Sequence, residues 1–301
     1  MTRPEEGGTR RRTGSYVEES RRPRTKSGEV SWARTGRRTR LDRLVVDRGL
    51  APTRERALRL ILAGQVVVDG VTVSKAGHLI PLTATVGLRE RDHPYVSRGG
   101  VKLAHALKVF QISVAGRVVV DVGASTGGFT HCLLLQGARR VYAVDVGRGQ
   151  LHARLRSDPR VSLFEGVNAR TLTGEAFPEP PDLATIDVSF IGLEKIIPAL
   201  VPCLAPPREV VALIKPQFEA GRSHVGKGGV VRDPETHRAV LARLAGTLPG
   251  LGLFIRGVTP SPILGPKGNR EFFFHLSEER PSPALDIPRA IESVLREGVH
   301  P

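Results

Sequence analysis

RVVVDVGASTGGFT, Arg117 to Thr130, decides the fold of this chain. A β-branched run leads into an acid, Asp121. A glycine turn follows through Gly123, Gly127 and Gly128, and then an apolar run of helical character. That order is the first strand, turn and helix of an open α/β sheet, where glycines let a nucleotide-like ligand approach the backbone at the carboxyl end of the strand. The spacing is not the G-x-G-x-x-G of dinucleotide binders, and a carboxylate stands two residues ahead of the first glycine. Backbone N–H groups hold a pyrophosphate, and such a carboxylate repels it. A cationic cofactor without phosphates tolerates the acid, and S-adenosylmethionine, with its sulfonium, amine and carboxylate, fits. The competing readings are a nicotinamide or other nucleotide site, or a turn that binds nothing. A second acid, Asp145, ends the next strand (RRVYAVDVG), about where a ribose-binding carboxylate belongs. With acids at both strand ends the methyl donor is favoured. The turn residues Ser125, Thr126 and Phe129 join Asp121, Gly123, Gly127, Gly128 and Asp145 as its expected contacts, with Asn168 on the adenine side.

Outward from this turn, strand and helix patterns alternate. Strands are expected at 117–122, 141–146, 160–164, 183–188 and 209–215, and a helix over Lys102 to Phe110 with Leu103, Ala106, Leu107 and Phe110 inward. A strand at 252–259 and EFFFHLS at 271–277 close the sheet as antiparallel partners, since no helix separates them, and 284–297 reads as a terminal helix. The class is therefore α/β, a Rossmann-like and mostly parallel sheet covered on both faces. Its expected domain spans 102–277, preceded by a linker at 91–101 and followed by a tail at 278–301.

Composition narrows the setting. The chain has 301 residues and a net charge of +15, which favours nucleic acid or an anionic surface as partner. Residues 1–40 hold twelve Lys or Arg against five acids, so +7 of the +15 lies there and the remainder is still basic. Residues 1–39 have scarcely any apolar periodicity and are expected to be disordered, either a basic arm for RNA or an inert extension. No apolar run approaches the roughly 18 residues of a membrane span. The arginine-rich start lacks the apolar core of a secretory signal. Two cysteines, Cys132 and Cys203, form neither a disulfide framework nor a metal cluster, and no metal site is expected. A cytoplasmic address follows.

Residues 40–90 read as a small α+β unit. RLDRLVVDRGL carries Leu41, Leu44 and Val45 at helical spacing; Thr53 caps a second helix with Leu58, Ile61 and Leu62 apolar; Asp69-Gly70 turns a hairpin. Arg40, Arg43, Arg54, Arg56, Arg59 and Lys75 lie on polar faces, where phosphate contact is expected over a merely solvated face. Helix–helix–hairpin with a basic face resembles the S4 RNA-binding domain.

Ligands of such sheets sit beyond the carboxyl ends of the strands. Asp187 ends strand four (LATIDVSFI), Lys215 ends strand five (VVALIKPQFE), Glu271 opens the last strand (GNREFFF), and Lys102 lies on the helix before strand one. Methyl transfer from a sulfonium to a hydroxyl is an in-line displacement in which the hydroxyl loses its proton. A lysine can take that proton once burial and a neighbouring cation favour its neutral form; an arginine cannot. In a chain with 37 Arg and only 8 Lys, two lysines at these positions stand out. FEAGRSHVGKGGVVRD, 218–233, reads either as a mobile loop closing on RNA or cofactor or as a surface loop.

SRGGVKL, DVGASTGGFT, AVDVGRGQL, TIDVSFI, LIKPQFE and GNREFFF together resemble the TlyA (hemolysin A) family, an S4 domain joined to an FtsJ-like, RrmJ-like class I methyltransferase domain. The resemblance covers about residues 40–277. It implies a Lys-Asp-Lys-Glu tetrad on Lys102, Asp187, Lys215 and Glu271, with Lys215 as general base. It also implies S-adenosylmethionine as cofactor, Asp187 beside it, and 2′-O-methylation of cytidine in 16S or 23S ribosomal RNA. Two alternatives stand against this reading: a membrane-active hemolysin, and an inactive RNA-binding assembly factor.

Overall fold

The computed structural model describes residues 37–297 except 63, 89–92 and 227, together with the backbone of strands β1 (Arg24–Lys26) and β2 (Glu29–Ser31). Those two strands pair antiparallel, a departure from the expected disorder of 1–39; the rest of 1–36 lies outside the described residues. The chain divides into two compact units, one ending at Asp92 and the other beginning at His93.

In the first unit, β3 (Arg38–Arg40) runs into α1 (Leu41–Asp47), followed by α2 (Arg54–Leu62), β4 (Val66–Val68), β5 (Val71–Thr72), β6 (Leu79–Pro81) and β7 (Val86–Leu88). The hairpin turns at Asp69 and Gly70, both at positive φ, as the Asp-Gly pair predicts. Thr53 caps α2 by accepting the Arg56 N–H at 3.2 Å. β4 lies between β5 and β7, while β3 pairs with β6, which brings Arg38 and Thr39, just ahead of the expected 40–90 span, into the pairing. Leu41, Leu44, Val45, Ile61, Val66 and Val68 form its core. The buried stripe of α2 is Ala57, Leu60 and Ile61; Leu58 and Leu62, expected inward, are exposed. The one-residue error in phase arises because Leu58, Leu60, Ile61 and Leu62 crowd the end of α2, and helical spacing alone does not say which of them meet α1.

The second unit opens with α3 (Gly99–Val109), three residues ahead of the expected start. Residues 93–98 are not a free linker: Val96 is buried, and its N–H bonds the His131 Nδ1 at 3.1 Å. The sheet follows as β8 (Val118–Val122), α4 (Gly128–Leu135), β9 (Arg140–Asp145), α5 (Ala153–Arg156), β10 (Val161–Glu165), β11 (Leu183–Ile186), α6 (Ile197–Leu200), β12 (Glu209–Ile214), α7 (Pro216–Glu219), α8 (Pro234–Thr247), β13 (Phe254–Pro260), β14 (Phe272–Ser277) and α9 (Ile287–Arg296). Strand order is β10-β9-β8-β11-β12-β14-β13. β14 alone runs antiparallel to its neighbours.

Alternate residues of each strand feed two apolar layers. Val119, Val141, Leu183, Val211 and Phe273 face α3 and α4, whereas Val120, Val144, Ile186, Ala212 and Phe274 face the layer of α6, α8 and α9. Both cysteines sit in these layers, and burial pushes the Cys132 thiol up to about 12. From β8 the chain builds outward to β10 and then crosses to β11 on the other side. Strand order therefore reverses at β8, and the crevice for a ligand opens beyond β8 and β11.

Candidate active site

The turn after β8 is shaped by what surrounds it. Gly123 has φ +89°, and a Cβ there would lie 2.5 Å from the Asp187 carbonyl oxygen, so no side chain fits. The chain turns at Gly127 (φ +95°) into α4. Beyond the turn a pocket of about 340 Å³ is lined by Gly123, Ser125, Asp145, Asn168, Asp187 and Ser189, with Val122, Val144, Val167 and Ile191 among its apolar walls. It contains two carboxylates and neither a lysine nor an arginine.

Asp145, at the end of β9, lines the pocket. Its carboxylate accepts the Ser125 N–H and the Gly147 N–H, each at 2.7 Å. Asn168 lines the pocket and caps the turn that follows by accepting the Arg170 N–H at 3.1 Å. The remaining turn residues do not line it. Asp121 is fully buried; it accepts hydrogen bonds from Thr130 Oγ1 at 2.7 Å and Thr185 Oγ1 at 3.1 Å. Burial outweighs those bonds and raises its carboxyl to about 7. It does not line the pocket, because its side chain points into the layer under α4, where Thr130 lies. Phe129 is buried and stacks on Phe273 at 6.2 Å. A Cβ on Gly128 would meet Ser97 Oγ at 2.2 Å, so this glycine serves helix packing. Thr126 is exposed, and its carbonyl accepts the His152 N–H at 3.2 Å.

The four polar residues form two ion pairs. Lys215 Nζ lies 2.6 Å from Asp187 Oδ1 and donates to Ser189 Oγ at 3.2 Å. Lys102 pairs with Glu271, and both side chains are nearly or wholly buried. Among the described residues Glu271 Oε1 has no hydrogen-bond partner, and Gly265 packs so closely that a Cβ there would overlap it. The register sets Ile214 of β12 opposite Phe272 of β14. Lys215 and Glu271, one step further on each strand, therefore stand side by side. β11 delivers Asp187, whose N–H bonds the Val122 carbonyl at 2.9 Å, against the glycine turn.

Sequence reasoning overlooked Ser189, Gln150 and the aromatic rim. Phe190 is 89% exposed at the pocket mouth, holds φ +66°, and leans on Phe218 with ring centres 4.7 Å apart. A bulky residue at positive φ is strained, which was the one signal the sequence could not display. The glycine-rich segment after Lys215 is tied down between 228 and 231. Asn269 accepts the Val231 N–H at 3.1 Å and donates to the Gly229 carbonyl at 3.0 Å; Lys267 donates to the Gly228 carbonyl at 2.9 Å.

The expected phosphate contacts all lie in the first unit. Arg40 and Arg54 grip Asp42 at 3.0 and 2.8 Å, and the Arg40 hydrogen bond is the main reason the Asp42 carboxyl falls to about 2. Arg43 pairs with Asp47 at 3.8 Å and Arg59 with Glu55. Arg40, Arg43, Arg54 and Arg59 are all at least half exposed, so each keeps donors toward solvent. Lys75 is exposed and Arg56 half-buried.

The comparisons agree with this geometry. Residues 95–278 match the FtsJ-like methyltransferase family and residues 39–86 the S4 domain. The chain is an FtsJ-like methyltransferase carrying an S4 domain. It is 44% identical to the 16S/23S rRNA (cytidine-2′-O)-methyltransferase TlyA of Mycobacterium tuberculosis, over 87% of this chain and 99% of that protein. It is 43% identical to Hemolysin A of Brachyspira hyodysenteriae, over 78% of this chain and 98% of that one. A solved structure provisionally named a hemolysin, from Streptococcus thermophilus, has a TM-score of 0.68 at 44% identity, covering 86% of this chain and 94% of its own. The chain belongs to the TlyA (hemolysin A) family.

Proposed function

We propose that this protein transfers a methyl group from S-adenosylmethionine to the 2′-hydroxyl of a cytidine ribose in 16S or 23S ribosomal RNA, in the cytoplasm, with the S4 unit gripping the RNA backbone. The observation that carries the proposal is the pair of ion pairs, Lys215–Asp187 and Lys102–Glu271, beside a pocket that holds acids and no basic side chain. The two carboxylates disfavour a phosphate-bearing cofactor there, whereas a sulfonium finds counter-charge. The volume lies within the usual range of small-molecule sites. When bound, S-adenosylmethionine supplies the reactive methyl. Asp145 would hold its ribose and Asn168 its adenine. Lys215 accepts the proton of the attacking hydroxyl, while Asp187 and Ser189 hold its Nζ in place. Lys102 and Glu271 fix the adjoining wall. The enzyme's gain comes largely from positioning. Phe190 offers a face on which an unstacked base can lie, as single-stranded RNA recognition commonly uses.

Purified protein incubated with labelled S-adenosylmethionine and unmethylated ribosomal subunits should label rRNA at a cytidine 2′-oxygen, located by mapping 2′-O-methyl positions. Lys215→Ala should abolish labelling with cofactor binding intact by calorimetry. Label on a base, or full activity in Lys215→Ala, refutes the reading. Among the described residues no helix is long and apolar enough to cross a membrane. Robust leakage from phospholipid vesicles would nonetheless favour the hemolysin alternative.

A further inference from the structure

We propose that Glu219 is a positioning residue that latches the two strand-end segments carrying Asp187 and Lys215, and so sets the geometry of that pair and of Phe190. The proposal rests on the assignment of Asp187 and Lys215 to the reacting centre.

Neither segment is held by length alone. After β11, residues 187–192 have no regular structure, and Phe190 within them sits at φ +66°. After β12 comes only the four-residue helix α7, which begins one residue beyond Lys215 and ends at Glu219. A strained, irregular loop and a single helical turn keep a defined separation only when something outside them over-determines it.

The Glu219 carboxylate supplies that constraint from one point. Its side chain is 4% exposed. Oε1 accepts the Leu193 N–H at 2.9 Å, where the loop from Asp187 enters a short 3₁₀ turn. Oε2 accepts from Arg243 of α8 at 3.0 Å. Oε2 also fills the space over Gly192, where a Cβ would come within 3.0 Å of it. Arg243 bonds the Glu219 carbonyl at 3.3 Å as well and pairs with Glu194 on the same 3₁₀ turn. One buried carboxylate thus joins the Asp187 loop, the Lys215 helix and α8. The Phe190–Phe218 contact at 4.7 Å crosses the same seam on the solvent side. Glu219 does not line the pocket. It acts through the residues it holds.

Removing the latch leaves the cofactor contacts of Gly123, Asp145 and Asn168 in place while Asp187 and Lys215 drift apart. A misplacement of about 1 Å costs on the order of a hundredfold in rate. Methyl transfer to unmethylated rRNA should therefore show Glu219→Ala with kcat down roughly 30- to 100-fold. S-adenosylmethionine affinity by calorimetry should fall far less than kcat, with assays run well below each variant's thermal transition. Glu219→Gln keeps an oxygen for the Leu193 N–H and should recover most of that loss. Gly192→Ala crowds the latch from the loop side and should lower kcat in the same direction, by less, even where Glu219→Ala does not fold. Wild-type kcat in Glu219→Ala, or in Gly192→Ala where the former does not fold, overturns the proposal. So does a loss of cofactor affinity that parallels the loss of kcat. Lys215→Ala is assayed alongside: if it remains active, the underlying site assignment fails. If it is dead while Glu219→Ala is fully active, only the latch fails.

Discussion

Lys102→Met should destabilise the second unit by about 3–5 kcal/mol, the usual cost of leaving one member of a buried ion pair behind. The reasoning starts from exposure. The Lys102 side chain is 9% exposed and that of Glu271 is 0%, so the carboxylate cannot recruit water when the ammonium is removed. Nor can another donor replace it, since Glu271 Oε1 has none and Gly265 closes the space beside it. Methionine fills most of the lysine stem, which limits the cavity term and leaves the unpaired carboxylate as the main cost. The double variant Lys102→Met with Glu271→Gln removes the charge that made the single change costly and should be more stable than Lys102→Met alone. A favourable coupling of about 2 kcal/mol or more is expected for residues in contact. Urea unfolding followed by circular dichroism measures both, with the transition of the second unit fitted separately because a two-unit chain need not unfold in one step. A loss below about 1 kcal/mol in Lys102→Met, or a double variant as unstable as the two single changes combined, would show that Glu271 does not depend on Lys102. All three variants should lack methyl transfer.

Three further outcomes follow from other groups. Asp145→Ala should weaken S-adenosylmethionine binding about 10- to 100-fold, the worth of hydrogen bonds to a charged acceptor, and leave rRNA affinity unchanged in a filter-binding assay. Asp121, held near 7 by burial, opposes folding once ionised. Because its folded carboxyl binds the proton more tightly than the unfolded one, stability should fall as pH rises from about 4 to about 7, by at most about 4 kcal/mol; Asp121→Asn should flatten that slope in urea titrations. Asp42 works the opposite way: its carboxyl is depressed to about 2 by Arg40 and Arg54, so its contribution is present above about pH 4 and disappears as pH falls toward 2. Its partners are half exposed, which limits the effect to under about 1 kcal/mol, read as a raised acid-unfolding midpoint in Asp42→Ala.

The sequence by itself determined the strand–turn–helix at Arg117–Thr130, the strands expected at 141–146 and 209–215, the antiparallel closing pair, the Asp-Gly hairpin, and the polar residues Asp187, Lys215 and Glu271 at strand ends with Lys102 on the helix before them. Those features are local: alternating apolar residues, turn glycines and a breaker after each run are legible without knowing what packs on what. Tertiary structure decided which acid faces the pocket. Asp121 and Asp145 look alike in sequence, yet one points into the α4 layer to hold Thr130 and Thr185, while the other faces the pocket. Pairing partners were equally out of reach. Lys102 meets Glu271, 169 residues away, only because β14 inserts beside β12, and strand order across a sheet leaves no trace in local periodicity. The same holds for Glu219 under Gly192 and for the strained Phe190, whose placement depends on contacts made once the sheet has closed.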